Sequence, residues 1–324
     1  MKSPFVADLR ADQTISTFFL VSEKEIRSTR DARPYLRLEL ADRTGTIEAR
    51  MWEGFEREAE AVERDAFIKV QARVENYRGK LQLSIDRMRL ARPEEVEAAD
   101  YQSQPEIDVE ALYAKLLEYV ASVANPWLRQ LLESVVRDPQ IAPKLKRAPA
   151  AKMMHHAYLG GLIEHIASVC FLCRIVAPHY PEVDGDLLLA GAILHDVGKT
   201  EELRYESALG YTDEGHLLGH ILIGYELLAK KMDAIVGFPP KLKSLVLHLL
   251  ASHHGHYEFG SPKLPMFREA LLLHYLDDMD SKLGAAKAAL ASERGEDEWT
   301  EWNSALDRRL LRLDHYLKSE TEKT

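Results

Sequence analysis

The histidines of this chain concentrate between residues 155 and 256, and several stand inside apolar, helix-like runs. In AGAILHDVGK, His195 and Asp196 directly follow an apolar segment and precede Gly198 and Lys199. Neighbouring helical side chains point about 100° apart, so the pair could serve one ion only near a helix end, which Gly198 would permit. An isolated His-Asp pair is usually an ordinary surface feature, so the other potential ligands decide the interpretation.

Further potential ligands lie on both sides of this pair. Upstream, His165 stands in GGLIEHIASV with apolar neighbours at helical spacing, where a lone histidine is usually a hydrogen-bonded core residue. Burying many polar groups in an apolar bundle is costly without partners, and a cation would supply a partner for all of them. The downstream candidates are His216, His220, His248, His253, His254, Asp277, Asp278 and Asp280.

The mixture of imidazoles and carboxylates favours Mn²⁺, Fe²⁺ or Zn²⁺ over Mg²⁺, which prefers oxygen ligands. A cation held by such ligands would lower the pKa of a bound water and polarise a phosphate oxygen. Lys199 could bind a substrate phosphate as a point charge, with a solvated helix-end lysine as an equal alternative. The candidate catalytic residues are therefore His195, Asp196 and Lys199. The sequence contains no G-x-S-x-G, P-loop or G-x-G-x-x-G motif that would indicate another chemistry.

The first ninety or so residues alternate apolar and polar side chains at period two. In YLRLEL, Leu36, Leu38 and Leu40 face one way, while Arg37 and Glu39 face the other. About five such strands, separated by turn residues, predict a small barrel rather than a sandwich. Residues 53–65 are rich in helix formers and predict a helix that interrupts this barrel.

Basic and aromatic residues are interleaved in this first part. The net charge of −10 divides into +2 for residues 1–92 and −12 for the remainder. Cations that follow phosphates and rings that stack on bases are typical of a channel for single-stranded nucleic acid. A solvated charged face over core aromatics is the alternative for any single residue. The candidate nucleic-acid contacts are Arg33, Tyr35, Arg37, Arg50, Trp52, Arg73, Tyr77, Arg78 and Lys80.

The rest of the chain predicts an all-helical domain. Residues 93–108 are polar, include two prolines and indicate a linker, whereas residues 109–318 show helical periodicity throughout. The last predicted helix spans residues 299–318, and its Leu306, Leu310 and Leu313 form one stripe that is either core or an oligomer surface. The sequence therefore predicts a multidomain chain, with an all-β barrel domain at 1–92, an all-α domain at 109–318 and a frayed tail at 319–324.

Composition excludes several classes. At 46% apolar and 29% charged residues, the chain is typical of soluble globular proteins. Cys170 and Cys173 lie in the apolar segment ASVCFLCRIV and are expected to be buried, reduced thiols. No apolar run reaches the roughly 18 residues of a membrane span, and the first residues do not resemble a secretory signal. We expect a cytoplasmic protein that does not bind membranes.

The order His165, then His195-Asp196, then Asp277 resembles the signature of the HD superfamily of metal-dependent phosphohydrolases. That resemblance implies that these four residues surround one cation, with Asp280 behind the site or facing the substrate. Resemblance to the binuclear members implies a second ion and a bridging role for Asp196. The residues implied as ligands of the second ion are His220, His253 and His254. Some binuclear relatives carry a glutamate ligand where this chain has Gly161, which leaves the ion count less certain.

The first domain resembles an OB fold, most clearly in LRLELADRTGTIEARMWE. An OB-like domain followed by HHAYLGGLIEH, LHDVGK, GHLLGH, SHHG, FGSP and LDDMDSKL resembles the YhaM-type 3′→5′ exoribonucleases. The resemblance implies a manganese-dependent enzyme that trims single-stranded RNA, and also DNA, from the 3′ end. It further implies that His156 and Ser261 lie near the nucleotide.

Two other functions remain open on the sequence alone. One is hydrolysis of a small nucleotide, with the OB-like domain as a regulator. The other is a non-catalytic accessory protein that binds nucleic acid and carries a vestigial HD pocket. The sequence also leaves open the preference for RNA or DNA and whether the chain forms a homo-oligomer.

Overall fold

The computed structural model of this protein describes the chain apart from residues 1, 30, 32, 65, 78, 98–99, 102–106, 151–157, 205–209, 293–296, 304 and 322–324. The chain divides into two compact units. The first comprises Met1–Glu106 together with Arg204–Gly210, and the second comprises Ile107–Leu203 together with Tyr211–Thr324. Strands dominate the first unit and helices the second, as the hydrophobic periodicities predicted.

Five strands of the first unit form a closed barrel in the order β1-β2-β3-β5-β4, with β4 pairing back onto β1. The strands are β1 (Thr14–Ser28), β2 (Pro34–Asp42), β3 (Gly45–Met51), β4 (Phe67–Tyr77) and β5 (Lys80–Leu90). The β3–β5 pair is parallel and the other pairs are antiparallel. A parallel pair needs a crossover connection, which here contains helix α1 (Glu56–Ala61) and β4.

The period-two pattern of the sequence is what closes this barrel around a core. Leu36, Leu38 and Leu40 are fully buried on the inner face of β2. The β2–β3 register places Leu38 opposite Ala49 and Leu40 opposite Ile47, so apolar side chains meet across the pair. Because the polar residues between them must then face outward, the barrel presents alternate positions to solvent.

Helices make up most of the second unit. Their bounds are α2 (Val109–Ser122), α3 (Pro126–Val136), α4 (Ala142–Arg147), α5 (Gly161–Val176), α6 (Gly185–Leu194), α7 (Lys199–Glu202), α8 (Asp213–Ala234), α9 (Pro240–Ser252), α10 (Arg268–Ser292) and α11 (Leu313–Thr321). A short hairpin of β6 (Leu203–Arg204) and β7 (Gly210–Tyr211) separates α7 from α8.

Helix α6 is the centre of the helical unit. Its residues are buried from Leu187 through Leu194, and it packs against α5, α9 and α10. A helix that is apolar on every side belongs inside a domain rather than on its surface. Its carboxyl end, where His195 and Asp196 follow, is therefore also buried.

Helix α5 packs against α6. By length and composition the segment Gly161–His179 could cross a membrane, with a mean hydropathy of 1.5, but half of that window is buried inside the protein. The same composition is typical of a core helix, and α5 carries the buried His165. Cys170 and Cys173 on this helix are buried, free thiols, as predicted.

The predicted helix over residues 299–318 is wrong in its first part. Trp299 pairs with Leu311, and Asn303 pairs with Arg308, as isolated antiparallel bridges. The buried Thr300 stabilises this hairpin-like segment, because its hydroxyl accepts a hydrogen bond from the Leu310 amide at 2.9 Å. The left-handed backbone at Asp307 (φ 53°) is incompatible with a continuous helix. Consequently Leu306, Leu310 and Leu313 do not form one helical stripe.

Gly198 is required for space rather than for stopping a helix. Helix α6 already ends at Leu194, and the backbone of Gly198 is ordinary, with φ −64°. A Cβ atom at Gly198 would lie 2.0 Å from the carbonyl oxygen of His220 and 2.7 Å from the amide nitrogen of Gly224. The chain after His195-Asp196 thus packs backbone to backbone against α8, and this contact sets the position of His220.

We predict that Gly198→Ala lowers the free energy of unfolding by about 1–3 kcal/mol, because overpacking against main-chain atoms has no easy relief. Gly185→Ala is the matched control, since a Cβ there meets no atom within 4 Å. Chemical denaturation followed by helical circular dichroism measures both. Equal unfolding midpoints for the two variants would contradict the space requirement.

Candidate metal centre

The first cluster of potential ligands joins three helices. Helix α5 contributes His165, the end of α6 contributes His195, and α10 contributes Asp277. The Nε2 atom of His165 lies 3.3 Å from Nε2 of His195 and 3.1 Å from Oδ1 of Asp277. Ligand atoms about 2.1 Å from one ion are roughly 3.0–3.4 Å apart at adjacent corners of its coordination shell. The cluster therefore has the dimensions of a cation site.

The second cluster joins α8 to the turn after α9. His220, His253 and His254 each place one ligand atom within 4.8 Å of the others. Helix α8 is broken at Gly219, whose φ of 72° and ψ of 160° are non-helical, so His220 starts a new helical segment. His253 and His254 follow the last residue of α9. Three imidazoles facing one point are typical of a transition-metal site.

Asp196 lies between the two clusters and faces both. Its Oδ2 atom is 3.4 Å from Nε2 of His195 and 3.7 Å from Nε2 of His165. Its Oδ1 atom is 3.5 Å from Nε2 of His220 and 3.7 Å from Nε2 of His253. A single carboxylate can therefore contribute one oxygen to each cluster.

All five imidazoles turn the same nitrogen away from the clusters. Each places Nδ1 within hydrogen-bonding distance of an oxygen: His165 at Asp280 (2.8 Å), His195 at the Ala192 carbonyl (2.9 Å), His220 at Glu202 (3.2 Å), His253 at the Leu250 carbonyl (2.8 Å) and His254 at the Phe259 carbonyl (2.8 Å). A carbonyl oxygen can only accept, so Nδ1 carries the proton wherever it faces one. For those imidazoles Nε2 can act as a metal ligand.

Several polar atoms at the centre lack a protein partner. Within the described residues, the buried atoms Asp196 Oδ1, His220 Nε2 and His253 Nε2 have no hydrogen-bond partner. An unsatisfied buried polar group costs about 1–3 kcal/mol, so native structures rarely leave several together. A divalent cation would satisfy all three at once. The donor set fits such an ion.

Electrostatics favours the charge states that a divalent ion requires. Burial alone would raise the pKa of Asp196, but Lys199 and the surrounding imidazoles offset it and hold that pKa well below its usual range. Burial alone would raise the pKa of Asp277, but the hydrogen bond to His165 and the electrostatic interactions with His195 and His165 together lower it. Burial and neighbouring imidazoles lower the pKa of His253 well below its usual value. Ionised carboxylates and neutral imidazoles are the forms that bind metals.

The pKa of His165 shifts in the opposite direction from that of His253. Burial alone would lower its pKa, but the carboxylates of Asp277 and Asp280 more than offset burial and raise the pKa to about 9. A cation that binds Nε2 requires the neutral imidazole, so it would compete with this proton. The negative charge of Asp277 and Asp280 thus attracts a cation to the first cluster, whereas the second cluster consists of three imidazoles.

The other predicted residues of the helical unit lie in different environments. Lys199 is at the centre, with Nζ 2.6 Å from Oδ2 of Asp196. Asp280 lies behind His165 and also accepts a hydrogen bond from Ser168. The structure does not bring the Ser261 hydroxyl into either cluster, because this buried group bonds to the main-chain carbonyls of Ala251 in α9 and of Lys263. His156 lies outside the described residues.

On the barrel, three predicted aromatic residues surround the guanidinium of a fourth predicted residue, Arg50. The Arg50 carbon Cζ lies 5.9 Å from the ring centroid of Tyr35, 5.8 Å from that of Trp52 and 5.7 Å from that of Tyr77. Tyr35 and Trp52 also contact each other, with centroids 4.7 Å apart. We call Tyr35, Arg50, Trp52 and Tyr77 the aromatic cluster. Its rings are of the kind on which bases stack.

The strand register extends this cluster into a row. Arg37 is opposite Arg50, Arg50 is opposite Ser84, and Ser84 is opposite Arg73, so three arginines follow one line across β2, β3, β5 and β4. Arg37 is already paired with Glu48 (3.0 Å) and Glu25 (3.3 Å), which reduces the charge it offers to a phosphate.

The remaining predicted barrel residues stand apart from the cluster's centre. Lys80 is opposite Tyr77 at the hairpin between β4 and β5. Arg33 closes the turn between β1 and β2 through its main chain: its amide donates to the Thr29 hydroxyl, and its carbonyl accepts from the Thr29 amide. Arg78 lies outside the described residues.

Three residues that support the candidate ligands from behind were not predicted from the sequence. Glu202 holds His220, Ser168 holds Asp280, and His274 donates from Nδ1 to the carbonyl of His253 at 2.9 Å. Glu202 follows Glu201, and no local signal distinguishes the two. The sequence did carry a signal for close packing beside His274, because a glycine, Gly255, follows the His253-His254 pair. The φ of Gly255 is 75°, and a Cβ there would lie 2.2 Å from the His274 ring.

Comparison with known families places these observations in a class. Residues 162–282 match the family model of the HD domain, and residues 21–91 match that of an OB-fold nucleic acid binding domain of the tRNA anti-codon type. The protein is therefore an N-terminal OB-fold barrel followed by a helical HD domain, which confirms the predicted fold class. An HD domain indicates a metal-dependent phosphohydrolase, and the two clusters occupy it.

Solved structures similar to this chain include a replication protein A heterotrimer bound to single-stranded DNA (18% identity, TM-score 0.21, 24% of this chain and 57% of that chain). The second OB-fold domain of replication protein A from Methanococcus maripaludis is another (21%, 0.22, 26% and 90%). A third is the single-stranded DNA binding protein from Thermus aquaticus (18%, 0.22, 24% and 40%). The match thus spans little more than half of the first of these chains and less than half of the third.

We predict that His253→Ala binds about one divalent ion fewer per chain than the parent, because the second cluster loses a ligand while the first stays intact. Mass spectrometry of metals after equilibration with Mn²⁺ measures the ratio. The control is His216→Ala. His216 lies four residues before His220, and its exposed imidazole contacts the ring of Tyr211. Unchanged metal content in His253→Ala, or the same loss in the control, would argue against the second cluster as a metal site.

Proposed function

We propose that this protein is a manganese-dependent 3′→5′ exonuclease that hydrolyses terminal phosphodiester bonds of single-stranded RNA, and also of single-stranded DNA. The observation that carries the proposal is Asp196, a buried carboxylate whose two oxygens face two separate ligand clusters. His165, His195 and Asp277 would hold one cation, and His220, His253 and His254 a second; such ions would supply an activated water and neutralise charge on a phosphate. That chemistry suits phosphodiester hydrolysis without a covalent enzyme intermediate.

The residues of the HD domain prepare the site for this chemistry. Main-chain carbonyls hold Nδ1 of His195, His253 and His254. The three rings are therefore already oriented with Nε2 facing the clusters. The Lys199 ammonium lies beside Asp196 at the centre and could contact an incoming phosphate oxygen. Burial of the ligands limits bulk water at the reacting bond.

The preference for a polymer rests on the OB-fold barrel. The aromatic cluster offers rings and a guanidinium for stacking, and the arginine row offers charge at the spacing of neighbouring strands. Hydrolysis of a small nucleotide in the HD domain would require neither the aromatic cluster nor the arginine row of the barrel. The 3′→5′ direction and the choice of manganese rest on the resemblance of the motifs and on the mixed nitrogen and oxygen ligands.

The central test uses single-stranded RNA carrying a label at either end. With Mn²⁺, we expect a 3′ label to be released at once as a mononucleotide and a 5′ label to remain on a ladder of shortening products. Asp196→Asn should reduce the rate more than about 100-fold, because supporting residues alone are worth 10–100-fold. His216→Ala is the control and should retain the parent rate.

Other outcomes identify the rival functions. Internal cleavage irrespective of the label, or faster turnover of mononucleotides or cyclic dinucleotides than of oligomers, would refute the exonuclease proposal. Tight binding of RNA without any hydrolysis, unchanged in Asp196→Asn, would favour a non-catalytic accessory protein.

A second prediction concerns the aromatic cluster. Trp52→Ala should weaken binding of a single-stranded oligomer by about 5- to 150-fold, because one base stack is worth about 1–3 kcal/mol. Hydrolysis of a small phosphodiester such as bis(p-nitrophenyl) phosphate should not change. Fluorescence anisotropy with labelled RNA measures the binding, and a chromogenic assay measures the hydrolysis.

Two variants control this experiment. Trp52→Phe keeps a ring and should recover most of the affinity. Trp302→Ala removes another exposed indole, 63% accessible, from the HD-domain unit and should bind like the parent. If Trp52→Ala binds the oligomer as tightly as Trp302→Ala, the aromatic cluster is not the nucleic-acid interface.

A further inference from the structure

We propose that Glu202 is the positioning residue of the second cluster and that its carboxylate determines whether a second cation binds. Glu202 is the last residue of α7, and its side chain is largely buried. Its Oε1 atom accepts a hydrogen bond from the His220 amide at 3.0 Å and lies 3.2 Å from Nδ1 of the same residue. One oxygen therefore holds both the main chain and the ring of a candidate ligand.

The main-chain contact exists because α8 is broken. At Gly219 the backbone leaves the helical region, so the His220 amide stands at the start of a new helical segment. The first amides of a helix lack intrahelical acceptors, and a carboxylate there is also favoured by the helix dipole. Glu202 supplies that acceptor, which fixes the position of His220 relative to α7.

The ring contact orients the ligand atom. With Nδ1 held by Glu202, Nε2 of His220 faces Oδ1 of Asp196 at 3.5 Å, and the ring lies 5.1 Å from the ring of His254. A carboxylate on the outer nitrogen of a metal-binding histidine fixes its tautomer and makes the inner nitrogen a stronger ligand. His253 and His254 rely on neutral carbonyls instead, so Glu202 gives this cluster its charged support.

The backbone of Glu202 is held in place around this contact. Its carbonyl accepts from the amide of Thr212 at 2.9 Å, and a Cβ atom at Gly215 would lie 2.2 Å from the same oxygen. The preceding residue, Glu201, points elsewhere and pairs with Lys144 at 2.6 Å. Two adjacent glutamates thus have separate roles, and Glu201 provides a matched control.

The same arrangement occurs once at each cluster. Asp280 supports His165 of the first cluster from its Nδ1 side, as Glu202 supports His220 of the second. Removing either carboxylate should therefore affect one ion and not the other. A general loss of folding would instead affect both, so the comparison separates positioning from stability.

The test measures Mn²⁺ binding to the full chain. Titration calorimetry gives the affinity of each ion, and electron paramagnetic resonance detects coupled pairs of bound manganese ions. Glu202→Gln keeps an acceptor oxygen but removes the charge, and should weaken the second ion about 10-fold; Glu202→Ala should weaken it up to about 100-fold. The first ion should bind within twofold of the parent in both variants. Glu201→Gln should match the parent, whereas Asp280→Asn should weaken the first ion.

The inference shares with the proposed function only the need for a cation at the second cluster, so the two can fail separately. A parent that binds two ions, together with a Glu202→Gln variant that keeps both affinities and the coupled-pair signal, would overturn the role of Glu202 and leave the exonuclease proposal standing. A parent that binds no Mn²⁺ would overturn both. If Glu202→Ala does not fold, the folded Glu202→Gln variant decides the question.

Discussion

The helical domain depends on one interaction, the burial of an ionised carboxylate at Asp196. Only 2% of this residue is exposed, and an isolated charge there would be strongly destabilising. Lys199 and the imidazoles of His195 and His220 offset that cost. The imidazoles of His165 and His253 also face its two oxygens. The convergence of these elements is thus an electrostatic requirement as well as a packing outcome, and it places two ligand clusters on either side of one carboxylate.

Precision at this centre comes from a layer of atoms that would never touch an ion. Main-chain carbonyls and two carboxylates hold the outer nitrogens of the five imidazoles. Close glycine contacts at Gly198, Gly215 and Gly255 bring the supporting segments within reach, because a Cβ at any of them would collide. Ligands held in advance lose little conformational entropy on binding, which favours tight and geometrically defined coordination.

The OB-fold barrel contributes a different kind of surface. Its closed hydrogen bonding leaves alternate side chains on the outside, and the register aligns Arg37, Arg50 and Arg73 across four strands. Glu48 pairs with both Arg37 and Arg50, and Arg50 is in addition surrounded by the rings of Tyr35, Trp52 and Tyr77. Stacking and charge are therefore concentrated at one place rather than spread over all the basic residues of the domain.

The sequence by itself determined the two fold types, because hydrophobic periodicity is readable along the chain, and it indicated the principal candidate ligands through the motifs around His165, His195-Asp196 and Asp277. It failed at residues 299–312, where Thr300 and the left-handed Asp307 favour a hairpin over helical propensity. Only the tertiary structure distinguished Glu202 from Glu201 and showed that Gly198 is needed for space. The physical reason is that such roles depend on which side chain or backbone atom from a distant element lies opposite, and packing alone decides that.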